Sequence, residues 1–273
     1  MTTRIVLGAI LIAALGGVFA LDRAVGEGWV FTGLVALGAG WGLSELFRLL
    51  PELSRPSRFA VTLGALAAIG VAGLAAGGRD DLRLAMTAVV AAALAVTALA
   101  RAEPRDGLEE LRSSLLAFVY LGLFPAMLVT LRVRPDGWAL VVALLVSTKA
   151  ADIGAYFTGR LVGRRKLIPW ISPNKTVEGL AGGLMLSAVT GWLMLGPVLR
   201  VEACCTITAL GFGLLAGTAG TAGDLVESLL KRARGVKDSG HVLPGFGGIL
   251  DMIDSPLLSA PVIFLLLVVL GRA

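Results

Sequence analysis

The chain has 273 residues, of which 56% are hydrophobic and only 16% charged, and its mean hydropathy is +0.86. So few charges do not cover the surface of a soluble domain of this length, which excludes an ordinary water-soluble enzyme and makes the bilayer the expected solvent. The net charge of +5 is read as topology-setting Lys and Arg, so no nucleic acid partner is expected.

A spanning helix needs about 20 mostly apolar residues. Nine segments qualify: 4–21, 29–50, 59–77, 84–100, 113–131, 138–159, 177–199, 203–227 and 250–271. The first, Arg4 followed by an apolar run ending in VFA, resembles a secretory leader. Similar runs recur to the C-terminus, so it is expected to be a span and not a cleaved leader. Glycine, at 36 residues, suits helices whose backbones approach closely. The expected fold is all-α: a polytopic integral membrane protein with about nine transmembrane helices. It is read as a single membrane domain over 1–273, with scaffold helices on the lipid side in 1–137 and catalytic helices and cytoplasmic loops in 138–273.

Charge sets the expected orientation. With the N-terminus inside, Arg4 and the loops carrying Arg48, Arg55, Arg58, Arg101, Arg105, Arg112, Arg160, Arg164, Arg165, Lys166, Lys175, Lys231, Arg232, Arg234 and Lys237 all face the cytoplasm. The opposite side holds the smaller set Arg23, Arg79, Arg83, Arg132, Arg134, Arg200 and Arg272. The bias predicts N-in, C-out. No convincing internal repeat is present, which counts against an inverted-repeat transporter.

Two stretches carry chemistry. In STKAADIGAYFTGRLVGRRKLIPWISPNKTVEG, residues 147–179, Lys149 and Asp152 lie inside a predicted span. At a spacing of three they share a helix face, as an ion pair or as a functional pair. The basic loop after them ends in Ser172, Asn174, Lys175 and Thr176, where capping residues and a lysine at a helix N-terminus make an anion site.

In GDLVESLLKRARGVKDSGHVLPGFGGILDMIDSP, residues 223–256, Asp224, Ser228 and Lys231 form one helical stripe. Asp224 sits near a helix C-terminus and needs a cation, which Lys231, Arg232 or a metal supplies. Pro244, Gly245, Gly247 and Gly248 force tight turns before Asp251 and Asp254 open the last span. Carboxylates without a His or Cys cluster favour a hard ion such as Mg²⁺, and the basic loops suit a polyphosphate. A nucleotide or a phosphorylated lipid at the cytoplasmic face is the expected substrate.

Other signatures are missing. There is no GxxxxGK[ST], and His241 is the only histidine, read as a solvated loop residue. Cys204 and Cys205 are adjacent in an apolar segment, which suits neither zinc nor a disulfide framework.

SLLKRARGVKDSGHVLPGFGGILDMID resembles the signature of the phosphatidate cytidylyltransferases, S-x-x-K-R, K-D-x-G, then P-G-H-G-G-x-x-D-R-x-D. Ser228, Lys231, Arg232, Lys237, Asp238, Gly240, Pro244, Gly245, Gly247, Gly248, Asp251 and Asp254 match it. DIGAYFTGR and SPNKTVEG look like the same family's second block. Phe246 stands where the signature has His, and Met252 where it has Arg.

The resemblance implies that phosphatidate and CTP give CDP-diacylglycerol and pyrophosphate with Mg²⁺, in the inner (cytoplasmic) membrane, by a homodimer. It implies Asp224 and Asp251 as metal ligands, with Asp254 and Asp152 in the outer shell or at a second cation. Lys175, Lys231, Arg232 and Lys237 would grip phosphates, with Asp238 beside them in the catalytic set. Ser172, Thr176 and Ser228 would donate hydrogen bonds, and the 244–248 turn would bring backbone N–H groups to the nucleotide. Other CTP-dependent lipid enzymes, such as a CDP-archaeol synthase or a polyprenol kinase, would use the same motif. An ion-coupled transporter relaying through Lys149 and Asp152, or a scaffold that no longer catalyses, are the alternatives from other classes.

Overall fold

The computed structural model describes residues 2–26, 28–74, 80–201, 205–240 and 247–271. Among them lie nine helices: α1 (Thr2–Val25), α2 (Trp29–Leu49), α3 (Arg55–Leu74), α4 (Asp80–Leu99), α5 (Pro104–Arg132), α6 (Gly137–Val162), α7 (Val177–Val198), α8 (Thr206–Ala233) and α9 (Leu250–Val269). A hairpin of β1 (Lys166–Ile168) and β2 (Ser172–Thr176) joins α6 to α7. Helices α2 to α9 contain eight stretches long and apolar enough to cross a membrane. The chain is an all-α, multi-pass membrane protein, as expected. Boundaries differ where charge sits on helix: α5 begins at Pro104, ahead of the expected 113, and α8 runs on to Ala233, past the expected 227, so Asp224, Ser228 and Lys231 share a helix as their spacing predicts and Arg232 joins them.

The chain divides into two compact units, Met1–Val133 with Asp238–Met252, and Arg134–Lys237 with Ile253–Ala273. In the first, Leu43, Leu46, Ile69, Leu94, Phe118 and Leu121 form the core. Buried Asp22 pairs with Arg132 and accepts the N–H of Phe31 at 3.0 Å, tying α1, α2 and α5 together. Helix α5 widens to a π-turn over Val119–Leu123, just where Pro125 withdraws an N–H from the ladder. Wholly buried Glu110 accepts from Ser54, Ser57 and Arg101.

The second unit packs by small residues, because lipid gives helices no hydrophobic reason to associate. A Cβ on Gly154 of α6 would stand 3.0 Å from the Gly183 Cα of α7, and one on Gly191 of α7 would stand 2.6 Å from the Gly213 Cα of α8. Ser187 Oγ reaches the carbonyls of Ser147 at 2.9 Å and Gly213 at 2.6 Å, one hydroxyl serving three helices. Gly213 and Gly217, four residues apart on α8, pack against Ser187 of α7.

Candidate active site

The second unit gathers acids on two helices. Near the C-terminal end of α8, Asp224 and Glu227 lie one turn apart; on the first turns of α9 lies Asp254. One oxygen from each falls within 4.8 Å of the others. The approach depends on Gly223, where any Cβ would strike the Asp254 carbonyl. Glu227 and Asp254 are buried, while Asp224 is half-buried.

Lysines answer these acids pairwise. Lys175 Nζ stands 2.7 Å from Asp224 Oδ2, Lys231 Nζ 3.0 Å from Glu227 Oε2, and Lys149 Nζ 3.1 Å from Asp152 Oδ2. Asp254 is bonded differently: its Oδ1 accepts the N–H of Ser255 at 2.6 Å and the Ser255 hydroxyl at 3.1 Å. Among the described ion pairs, these lysines meet Asp224, Glu227 and Asp152 one to one. Asp224 and Lys175 also line a cavity of about 260 Å³ with Asp152, Tyr156, Asn174 and Thr176.

The hairpin aims Lys175. Strands β1 and β2 pair Lys166 with Thr176 and Ile168 with Ser172, with an irregularity between. Thr176 caps α7 by accepting the Gly179 N–H at 3.1 Å. Glu178 accepts the N–H groups of Arg164 at 3.0 Å and Arg165 at 3.2 Å, closing the loop back on itself. Arg232 Nε donates to the Ile171 carbonyl at 3.3 Å, which ties the hairpin to α8.

The remaining motif residues group in the first unit. Asp251 Oδ2 accepts from Ser239 N at 3.1 Å, Ser239 Oγ at 2.8 Å and Gly248 N at 2.8 Å. Buried Glu45 of α2 accepts from Ile249 N and Leu250 N, each at 3.0 Å, and from Ser239 Oγ at 3.1 Å. Gly247 holds φ at +84°, a left-handed turn that glycine adopts without strain.

Several sequence expectations change here. The cation beside Asp224 is Lys175, since Lys231 is engaged by Glu227 on its own helix. Ser172 and Asn174 are strand residues and not caps; Thr176 alone caps α7. Ser228 donates to Asp224 Oδ1 at 3.2 Å, so its proton supports the carboxylate. The Gly248 N–H is held by Asp251 instead of pointing to a ligand. Glu227 and Asp254 join Asp224 in the acid cluster of the second unit, and Asp251 Oδ2 serves three protein donors. Lys237 and Asp238 are exposed beyond the end of α8. Cys204, His241, Pro244, Gly245 and Phe246 lie outside the described residues.

Two residues escaped the sequence reading. Glu227 sits between Asp224 and Lys231 at helical spacing, a signal that was present and unused. Glu45 is an acid inside an apolar span, the feature that had singled out Lys149 and Asp152.

A sequence model of the family described as "Cytidylyltransferase family" matches residues 2–270. The chain belongs to this cytidylyltransferase family. Among curated relatives, an Escherichia coli protein named YnbB is 48% identical over 128 residues, 47% of this chain and 42% of that protein. The phosphatidate cytidylyltransferase of Bacillus subtilis is 42% identical over 156 residues, 56% of each chain. That of Synechocystis is 30% identical over 292 residues, 96% of each. The match thus spans about half of the first two relatives and nearly all of the third.

The donor set of this cytidylyltransferase-family protein fits a hard divalent cation. All three ligand atoms are carboxylate oxygens. The three oxygens lie within 4.8 Å of one another, near enough for one ion to draw them together, and Mg²⁺ leaves positions for water and phosphate. A cation there would offset the mutual repulsion of the three carboxylates.

Proposed function

We propose that this chain transfers CMP from CTP to phosphatidate, forming CDP-diacylglycerol and pyrophosphate, in a Mg²⁺-dependent reaction at the cytoplasmic face of the inner membrane. The observation that carries this reading is the convergence of Asp224, Glu227 and Asp254 beside Lys175 and Lys231 in a cytidylyltransferase-family membrane protein. Full-length similarity to the Synechocystis phosphatidate cytidylyltransferase supports the substrate pair.

Asp224, Glu227 and Asp254 would hold the metal, with Asp251 and Asp152 contributing to its surroundings or to a second cation. A bound Mg²⁺ would neutralise triphosphate charge and favour departure of pyrophosphate. The protein's share is electrostatic. The phosphate monoester of phosphatidate is already largely dianionic at neutral pH, with a second pKa of about 6, so it attacks without a general base. Its oxygen bonds to the α-phosphorus of CTP while the bond to the β-phosphate oxygen breaks. Lys175, Lys231, Arg232 and Lys237 offset the repulsion between the two anions, with Asp238 beside them, and Thr176 and Ser172 offer hydroxyls. Pro244, Gly245, Gly247 and Gly248 would serve the nucleotide, as the family signature implies. Phosphatidate keeps its acyl chains in lipid and enters from the cytoplasmic leaflet. We assign 1–137 a scaffold role and 138–273 the chemistry, in a homodimer with N-in, C-out orientation.

The test is turnover by purified protein in detergent. CDP-lipid and pyrophosphate are expected together from CTP and phosphatidate, only with Mg²⁺, and lost in Asp224→Asn. Well-folded wild type that converts polyprenol or archaeol acceptors but not phosphatidate would move the substrate. Flux in proteoliposomes without CTP turnover would make the chain a transporter.

A further inference from the structure

Glu45 has no place in the chemistry above, yet it accepts three hydrogen bonds from residues around the start of α9. It comes from α2, some two hundred residues away in sequence, and its side chain is buried. Its two oxygens take the N–H groups of Ile249 and Leu250, which are donors that the start of α9 would otherwise leave unsatisfied. Two motif glycines are shaped around it. A Cβ on Gly240 would stand 2.6 Å from Glu45 Oε1, and one on Gly248 would overlap Oε2. The Ser239 hydroxyl stands between Glu45 and Asp251, 3.1 Å from one carboxylate and 2.8 Å from the other.

We propose that Glu45 is a positioning residue for the carboxylates of α9. It fixes the 247–250 turn and the first turn of the helix, and so sets how Asp251 and, one turn further along the same helix, Asp254 are presented. The effect on catalysis rests on the cytidylyltransferase reading; the effect on the turn does not.

The experiment uses full-length Glu45→Gln, with Ser239→Ala as a milder variant and Glu110→Gln as the control. Glu110→Gln removes a buried carboxylate of the same unit that makes no contact with α9 among the described bonds. Two readouts are taken: amide hydrogen exchange over 247–252, and the Mg²⁺ concentration giving half-maximal CDP-lipid formation. Glu45→Gln is expected to speed exchange over 247–252 selectively and to raise the Mg²⁺ requirement roughly tenfold. Ser239→Ala should shift both in the same direction by less, and it decides the matter if Glu45→Gln does not fold. Glu110→Gln should lower Tm and leave both readouts unchanged. Unchanged exchange, or an equal shift of the Mg²⁺ requirement in Glu110→Gln, overturns the proposal. Wild type that exchanges as expected but forms no CDP-lipid rejects the reaction and leaves the positioning of the turn standing.

Discussion

Buried acids occur in both units, and they are built in opposite ways. Glu110 in the first unit is surrounded by donors: two serines and an arginine face it, and no other carboxylate joins them among the described bonds. Asp224, Glu227 and Asp254 in the second unit face one another, and among the described ion pairs two lysines meet the three of them. A saturated carboxylate holds structure. A set of carboxylates that is left with net charge needs a further cation, and there chemistry becomes possible.

The sharpest way to break this contrast is to exchange what each kind of site loses. Asp224→Asn is expected to lower CDP-lipid formation by roughly 10²–10³ while Tm stays level or rises, because it removes repulsion. A fall in Tm with activity retained would make the acid cluster structural. Glu110→Gln should do the reverse, destabilising the protein by about 3 kcal/mol in thermal unfolding with the metal requirement unmoved. Glu227→Gln comes next: a 10–100-fold rise in the Mg²⁺ needed, read by titrating turnover. The smallest effect is Thr176→Val, which removes the α7 cap and should cost about 1 kcal/mol, seen as a modest drop in Tm. Loss of activity beyond that drop would measure what the hydroxyl offers to substrate apart from capping α7.

Sequence made the spans legible because apolar length is a local property, and it flagged the aspartates because charges inside spans are rare. It misassigned partners because pairing is not local. Lys175 and Asp224 are 49 positions apart and meet only through the hairpin, whose short strands carry no clear alternation. Asp251 and Asp254 read as equivalents one turn apart. The structure gives Asp251 to Ser239 and Gly248 and places Asp254 beside Asp224. Glu45 was invisible for the same reason, since its partners lie at the far end of the chain.

The glycine crossings of α6, α7 and α8 bear on how the gene tolerates change. Gly182 has Thr158 against it, Gly183 the Ala151 carbonyl, and Gly213 the Ser187 carbonyl, so even alanine must push a backbone or a short side chain aside. In a saturation library these codons should read as intolerant as Asp224, although none lines the cavity beside it. Loss of function there would report helix spacing, and a map of essential positions would draw the active site larger than it is.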